Sequence, residues 1–270
     1  MSSTAEMRDA MIGVVRRDAM LFWSYRTRAV SQTLAVFFSL TVFYYVSKLV
    51  GVREFPSTDA YFSYVAIGIV TLAVLTATMT ALPLAVRQEL IAGTFERFVV
   101  SPTGAAAGVA AMLIFPMASA LSICTVQIIL AALVFPLDVH WSTAPLALPV
   151  ALLGALSFAP FALLMAAAVI TLKQVTGAVP FVTTALAFVG GFFFPVRLLP
   201  DSVEWMSEVQ PFTPVLDLLR HLLVNTPLHD PAWESVLKIA AFALVLLPVS
   251  GLVLRGAVAV CRRRGTLIEY

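Results

Sequence analysis

The spacing of its charges constrains this chain more than any other feature. Six intervals carry no Asp, Glu, Lys or Arg: Ala29 to Ser47, Ala60 to Val86, Phe98 to Leu137, Val139 to Leu172, Gln174 to Val196 and Ile239 to Leu254. A bilayer's hydrocarbon core, about 30 Å thick, is crossed by about 20 apolar residues in a helix, and a helix satisfies its own backbone there. With Lys48 snorkelling, the first span extends to about Val50. The third begins near Gly104, and the sixth, 16 residues long, is helped across by the aliphatic stems of Lys238 and Arg255. Charged residues make up only 12% of the chain, against about 25% in a soluble domain. The expected fold is therefore an all-α integral membrane protein with six transmembrane helices. The net charge of +2 is too small to point to nucleic acid.

Six spans put both termini on one face, and the Lys/Arg bias says which. Twelve of the 17 basic residues fall on the side of the termini, among them Arg16, Arg17, Arg87, Arg97, Arg255 and Arg262. Five fall on the other side with nine of the 15 acids. Both termini are thus expected in the cytoplasm. A stretch of 28 residues rich in polar and basic side chains precedes the first long apolar run, and no small-residue cleavage site follows it, so that run is read as an anchor. Residues 6–28 read as an amphipathic helix, with Met7, Met11, Val14, Val15, Leu21, Phe22 and Tyr25 on one arc and Asp18 spoiling it.

Two connecting segments stand out. Between the second and third spans, Gly93 breaks the helix, Thr94 is placed to cap a new short one with Glu96 in its first turn, and Ser101-Pro102 ends it. That short helix would offer Phe95, Phe98 and the Glu96/Arg97 pair to something in the cytoplasm; an ordinary elbow is the alternative. Between the fifth and sixth spans, Gly190-Gly191 loosens the chain and Pro200 to Met206 reads as a capped short helix. A further helix should start near Pro214, with Asp217 and Arg220 at i, i+3 and a greasy face of Val215, Leu218, Leu219, Leu222 and Leu223. It would re-enter the outer leaflet, roof a cavity, or simply shield the span ends.

Much chemistry is missing. No phosphate-binding loop of the Gly-x-x-x-x-Gly-Lys type exists, so the chain is not expected to hydrolyse a nucleotide. No catalytic residue or metal set is assigned: His140, His221 and His229 are scattered on the outer side, and His229-Asp230 alone makes no site. No acid or base lies mid-span, which argues against self-powered ion-coupled transport. Cys124 and Cys261 read as packing residues. The hydroxyls and amides inside the spans, such as Thr71, Thr78, Gln127 and Thr183, read as helix contacts. Six prolines, Pro83, Pro116, Pro149, Pro160, Pro180 and Pro248, are expected to kink the spans.

Glu89-Leu90-Ile91-Ala92-Gly93-Thr94-Phe95-Glu96-Arg97-Phe98-Val99-Val100-Ser101-Pro102 is similar to the E-x-x-x-G-T-x-E-x-(L/F)-x-x-(S/T)-P segment of the type-2 ATP-binding-cassette (ABC) transporter permeases, which include drug-resistance and polysaccharide exporters. A looser likeness runs from Gly191-Phe192-Phe193-Phe194-Pro195 through Leu199-Pro200 to Pro211, Pro214 and Leu219-Arg220. The resemblance implies a connecting helix over residues 1–28, a single membrane domain over 29–260 and a cytoplasmic tail over 261–270. Within that domain it implies a coupling segment over 87–102 and re-entrant helices in an external connector over 197–235. Glu89, Gly93, Thr94, Phe95, Glu96, Arg97 and Phe98 become the ATPase-coupling positions, and Phe193, Phe194, Pro195, Asp217 and Arg220 an external gate. The implied partners are two copies of a cytoplasmic ATPase, which binds the ATP and Mg, a second permease (the same chain or a related one), and membrane lipids. The implied place is a bacterial inner membrane. The N-terminal region lacks the aromatic-rich, Arg-Tyr pattern of polysaccharide exporters, which favours a drug or lipid exporter. A non-transporting membrane scaffold is the alternative of another class, and a membrane enzyme a third.

Overall fold

The structure, a computed structural model, describes residues 12–13, 15–20, 26–49, 55–100, 104–172 and 177–264. Among these, all regular structure is helical: α1 (Arg26–Leu49), α2 (Thr58–Ile91), α3 (Glu96–Val100), α4 (Ala105–Ala111), α5 (Ile114–Val134), α6 (Ala144–Leu172), α7 (Ala178–Val189), a 3-10 turn (Val196–Leu198), α8 (Asp201–Val209), α9 (Phe212–Val224) and α10 (Ala232–Arg264). Residues 12–13 and 15–20 are helical too. Met7, Met11, Val14, Leu21, Phe22 and Tyr25 of the expected amphipathic arc lie outside the described residues, as do Ser101, Pro102 and residues 265–270 of the tail.

Among the described residues, five helices are long and apolar enough to cross a bilayer: α1, α2, the α4–α5 pair, α6 and α10. The fifth expected span is α7, which has only 12 residues, about 18 Å at 1.5 Å per residue, too short by itself to cross. The charge-free interval there is long enough, but Gly190 and Gly191, the latter at φ +73°, end the helix early. The sixth span errs in the other direction. Helix α10, 33 residues from Ala232, runs on through Arg255 to Arg264, because the single Gly256 costs only about 1 kcal/mol and does not stop a helix already under way.

Helices α2 and α6 form the centre, each two-thirds buried over its most apolar stretch. Alanines explain how the neighbours approach: Ala155, Ala159, Ala162 and Ala166 on α6 share one core with Leu254, Ala257 and Val258 on α10. Cys261 Sγ meets Ile170 O at 3.3 Å in the same region. Both cysteines are free thiols packed in the bundle. The outer helices keep large apolar side chains exposed, including Phe38, Leu133, Phe181 and Leu244, as a lipid-facing surface does.

Several in-span hydroxyls bond within their own helices, and Thr183 Oγ1 also reaches Met79 Sδ of α2 at 3.8 Å. Thr80, Ser122, Thr125 and Thr183 each donate to a carbonyl four residues back, at 2.7–3.0 Å. Of the six prolines, Pro83, Pro149, Pro160 and Pro248 sit inside helices. Pro116 and Pro180 do not interrupt theirs: each is the third residue of its helix, where no N–H is needed.

The connector packs into the bundle rather than roofing a cavity. Helix α9 starts at Phe212, and the buried Val215, Leu218, Leu219 and Leu223 join Ile67, Phe158 and Ile239 in a second core. Gly154 allows the fit, since a Cβ there would lie 2.8 Å from Val215 Cγ1. Asn225, in the left-handed conformation at φ 54°, closes α9.

Candidate functional site

Two constellations flank α2, one at each end. At the Ile91 end the backbone forms a Schellman turn: Gly93 N–H donates to Leu90 O at 3.1 Å and Thr94 N–H to Glu89 O at 3.0 Å. Gly93 has φ +66°, the left-handed position that closes such a turn and that favours glycine. Thr94 was expected to cap the next helix. Instead its hydroxyl reaches back to the Glu89 carboxylate and to Glu89 O, and α3 begins two residues later at Glu96. A threonine just past a glycine suits either role, and the Glu89 carboxylate, an ionised acceptor within reach, decides it.

The second Glu89 oxygen accepts from Arg17 Nη1 at 2.8 Å, tying the N-terminal helical segment to the turn. Arg17 Nε also donates to Asp18 Oδ1 at 3.1 Å. Burial holds the Asp18 carboxyl above the ordinary aspartate range, with the Arg17 charge pulling it back down. Glu89 is thus shared between a hydroxyl and a guanidinium from opposite directions, which fixes its side chain.

Phe95 and Phe98 do not face outward as expected. Phe95 is 1% exposed within the core of Leu82, Val86, Leu90 and Val109. Phe98, half-buried, lies with its ring 6.0 Å from that of Phe95 and directly over Gly108, where a Cβ would come within 2.5 Å of Phe98 Cδ1. Apolar rings beside a glycine on the next helix find a cheaper home there than in water. What remains exposed is a compact edge of Ile91, Ala92, Gly93, Glu96 and Arg97. The segment is therefore a rigid knob, clamped from within by Phe95, Phe98 and Glu89 and presenting one acidic and one basic side chain.

At the other end of α2, Arg220 is fully buried at 1% exposure. Its Nε donates to Tyr64 O at 3.1 Å, its Nη2 to Gly191 O and Phe192 O at 3.0 Å each, and the guanidinium carbon lies 3.4 Å from the Tyr64 ring centroid. Tyr64 OH also donates to Gly191 O at 3.4 Å. Arg220 is thus a latch joining α9, α2 and the Gly191-Phe192 loop. It makes no ion pair with the half-buried Asp217 among the described residues. Phe193 stacks on Phe43 of α1 with centroids 5.6 Å apart, Phe194 stands edge-on to Phe188 at 5.0 Å, and Pro195 leads into the 3-10 turn. The residues expected to form a gate therefore meet around one loop, except Asp217, which lies beside the latch without joining it.

Sequence reasoning missed Tyr64 and Gly68. A Cβ on Gly68 would lie 1.9 Å from Phe192 O and 2.9 Å from Arg220 Nη2, so only a glycine lets the loop and the arginine in. A glycine inside an otherwise apolar helix was the available signal. On the same face His221 Nδ1 lies 2.9 Å from Thr226 O, and Asp230 pairs with Lys238 at 2.7 Å.

The profile of a family described as ABC-2 type transporter matches residues 10–224, a stretch that holds both constellations. No curated protein matches the chain.

Proposed function

The chain belongs to the ABC-2 type transporter family, a multi-pass membrane permease that works with an ATP-binding-cassette partner, and on that footing we propose that it is an exporter subunit driven through the Glu89–Val100 knob. The observation that carries this reading is that one helix bears both constellations. The knob closes the end of α2, and the Arg220 latch holds Tyr64 near its start, about 38 Å away along the axis at 1.5 Å per residue.

ATP binding closes two partner ATPases and pushes the exposed edge at Gly93, Glu96 and Arg97. Because Phe95 and Phe98 are locked into the core and Glu89 is held by Thr94 and Arg17, the push moves α2 rather than deforming the turn. At the far end α2 drags the Gly191-Phe192 loop, and with it Phe193, Phe194 and Pro195, which gate the exit. Two discrete arrangements of a packed bundle, biased by the partner's nucleotide state, are what such coupling needs. The substrate is hydrophobic or amphipathic, drug-like or lipid-like, since the span walls carry no fixed mid-membrane charge. The working unit pairs this permease with a second copy or a related chain in a bacterial inner membrane, termini and knob facing the cytoplasm. Both ATP and Mg belong to the ATPase subunits.

The test is co-expression with the candidate ATPase and comparison of vanadate-sensitive ATP hydrolysis between wild type and Glu96→Arg. Reversing the knob's exposed acid is expected to uncouple or dissociate the complex. A chain that purifies alone, or a complex indifferent to the substitution, would remove the proposal.

A further inference from the structure

We propose that a notch between α4 and α10 binds the phosphate of an anionic phospholipid headgroup through Arg255 and Arg262. The notch encloses about 280 Å³, walled on one side by Gly104, Ala106 and Ala107 and on the other by Arg255, Ala259 and Arg262. The two arginines are seven residues apart, so they share a face of α10 about 10 Å apart along its axis, and both side chains line the same space. A phosphate between them receives donors from both directions, the fork geometry in which guanidinium recognises oxyanions.

Neither arginine has an ion pair or hydrogen bond among the described residues. No acid occurs between Glu234 and Arg264, while Arg263 and Arg264 add to the same field. Among the described residues the cationic notch is thus left uncompensated.

Depth and surroundings point to a lipid. Arg255 directly follows the apolar run Ile239 to Leu254, and Arg262 lies two turns beyond, spanning the level of the phosphates. Basic pockets between membrane helices on the inner side hold anionic headgroups in this way. Alanines and Val258 make the remaining wall, suited to a glycerol backbone, and exposed Leu252, Val253 and Val260 continue α10's surface towards acyl chains.

The experiment uses the full chain in neutral detergent, titrated with phosphatidylglycerol or phosphatidylcholine and read by native mass spectrometry and by the thermal unfolding midpoint. Wild type should retain phosphatidylglycerol over phosphatidylcholine by about tenfold or more, the scale two interfacial arginines supply. The pair Arg255→Gln/Arg262→Gln should lose that preference, while Arg263→Gln/Arg264→Gln, an equal loss of charge, keeps it. Equal loss in both pairs, or in neither, overturns the site. Inorganic phosphate at millimolar concentration should neither displace the lipid nor raise the midpoint; if it does both, and only when Arg255 and Arg262 are present, the lipid assignment falls to a soluble anion. If the Gln pair unfolds, the single variants Arg255→Gln and Arg262→Gln should each lose part of the preference with the unfolding midpoint unchanged, and full retention of the preference in both overturns the site.

Discussion

Replacing Arg220 with methionine keeps most of the side chain's volume while removing every donor, so it isolates what the latch contributes. Three carbonyls lose a partner: Tyr64 O, Gly191 O and Phe192 O. Tyr64 O lies inside α2 and keeps its ladder bond, and Gly191 O keeps only the long contact from Tyr64 OH. An orphaned buried carbonyl costs about 1–3 kcal/mol, and a desolvated cation–π contact adds up to about 2 kcal/mol. Relief from burying the guanidinium works in the opposite direction and can cancel much of such a loss where packing closes over the gap. Here it does not cancel, because Gly191 O and Phe192 O are backbone atoms fixed in a turn, and Phe192 O is packed against α2 at Gly68. The net expectation is a loss of about 2–4 kcal/mol, which at about 2–4 °C per kcal/mol lowers the unfolding midpoint by roughly 5 °C or more. Thermal unfolding in detergent, followed by a thiol-reactive dye at the buried Cys261, reads it. Gly68→Ala disturbs the same contacts, so the double variant should fall well short of the sum of the singles. An Arg220→Met midpoint within about 1 °C of wild type would refute the reasoning, since no orphaned carbonyl costs so little.

Three further outcomes follow from the knob. Gly93→Ala puts a Cβ into a left-handed turn and should cost about 1–2 kcal/mol with a loss of ATPase coupling, whereas Gly93→Asn, which tolerates that conformation, should lose less; unfolding midpoints and vanadate-sensitive hydrolysis check both. Gly108→Ala drives a Cβ to 2.5 Å from Phe98 Cδ1 and should destabilise by about 1–3 kcal/mol, as overpacking does, with recovery when Phe98 is shortened to Leu in the same chain. The Asp18 carboxyl is raised by burial above its usual 3.8. The folded chain therefore binds that proton more tightly than the unfolded one, and stability falls as pH rises from 3.8 through the raised value. Asp18→Asn should flatten that slope and leave stability at pH 7 unchanged or slightly higher, by pH-dependent thermal unfolding.

What the sequence disclosed follows from the range of the forces involved. Charge-free intervals located α1, α2 and α6 to within a few residues because burying a charge in hydrocarbon is costly wherever the chain goes. Helix ends set by the local backbone were less visible: the interruption at Met112 and Leu113 and the early stop of α7 at Gly190 depend on turn geometry rather than polarity, and the overrun of α10 to Arg264 on helix propensity past the last apolar residue. Gly93 was legible as a break, since only its conformation matters. The direction of the Thr94 hydroxyl was not, because it answers to a carbonyl five residues back. Phe95 and Phe98 looked like a greasy surface until Gly108, contributed by the next helix, supplied a seat for Phe98. Arg220 was noticed beside Asp217 in sequence, yet its partners are backbone carbonyls as much as 156 positions away, and a carbonyl carries no residue-type signature.

The central claim is that the exposed edge of the knob meets the ATPase. A photo-crosslinking amino acid placed at Glu96, with one at the exposed Trp233 on the opposite end of the bundle as the comparison, tests it directly in membranes holding both subunits. The account predicts a permease–ATPase adduct from position 96, changed in yield by ATP with vanadate, and none from position 233. Adducts from position 233 alone, or equal adducts from both, would contradict it.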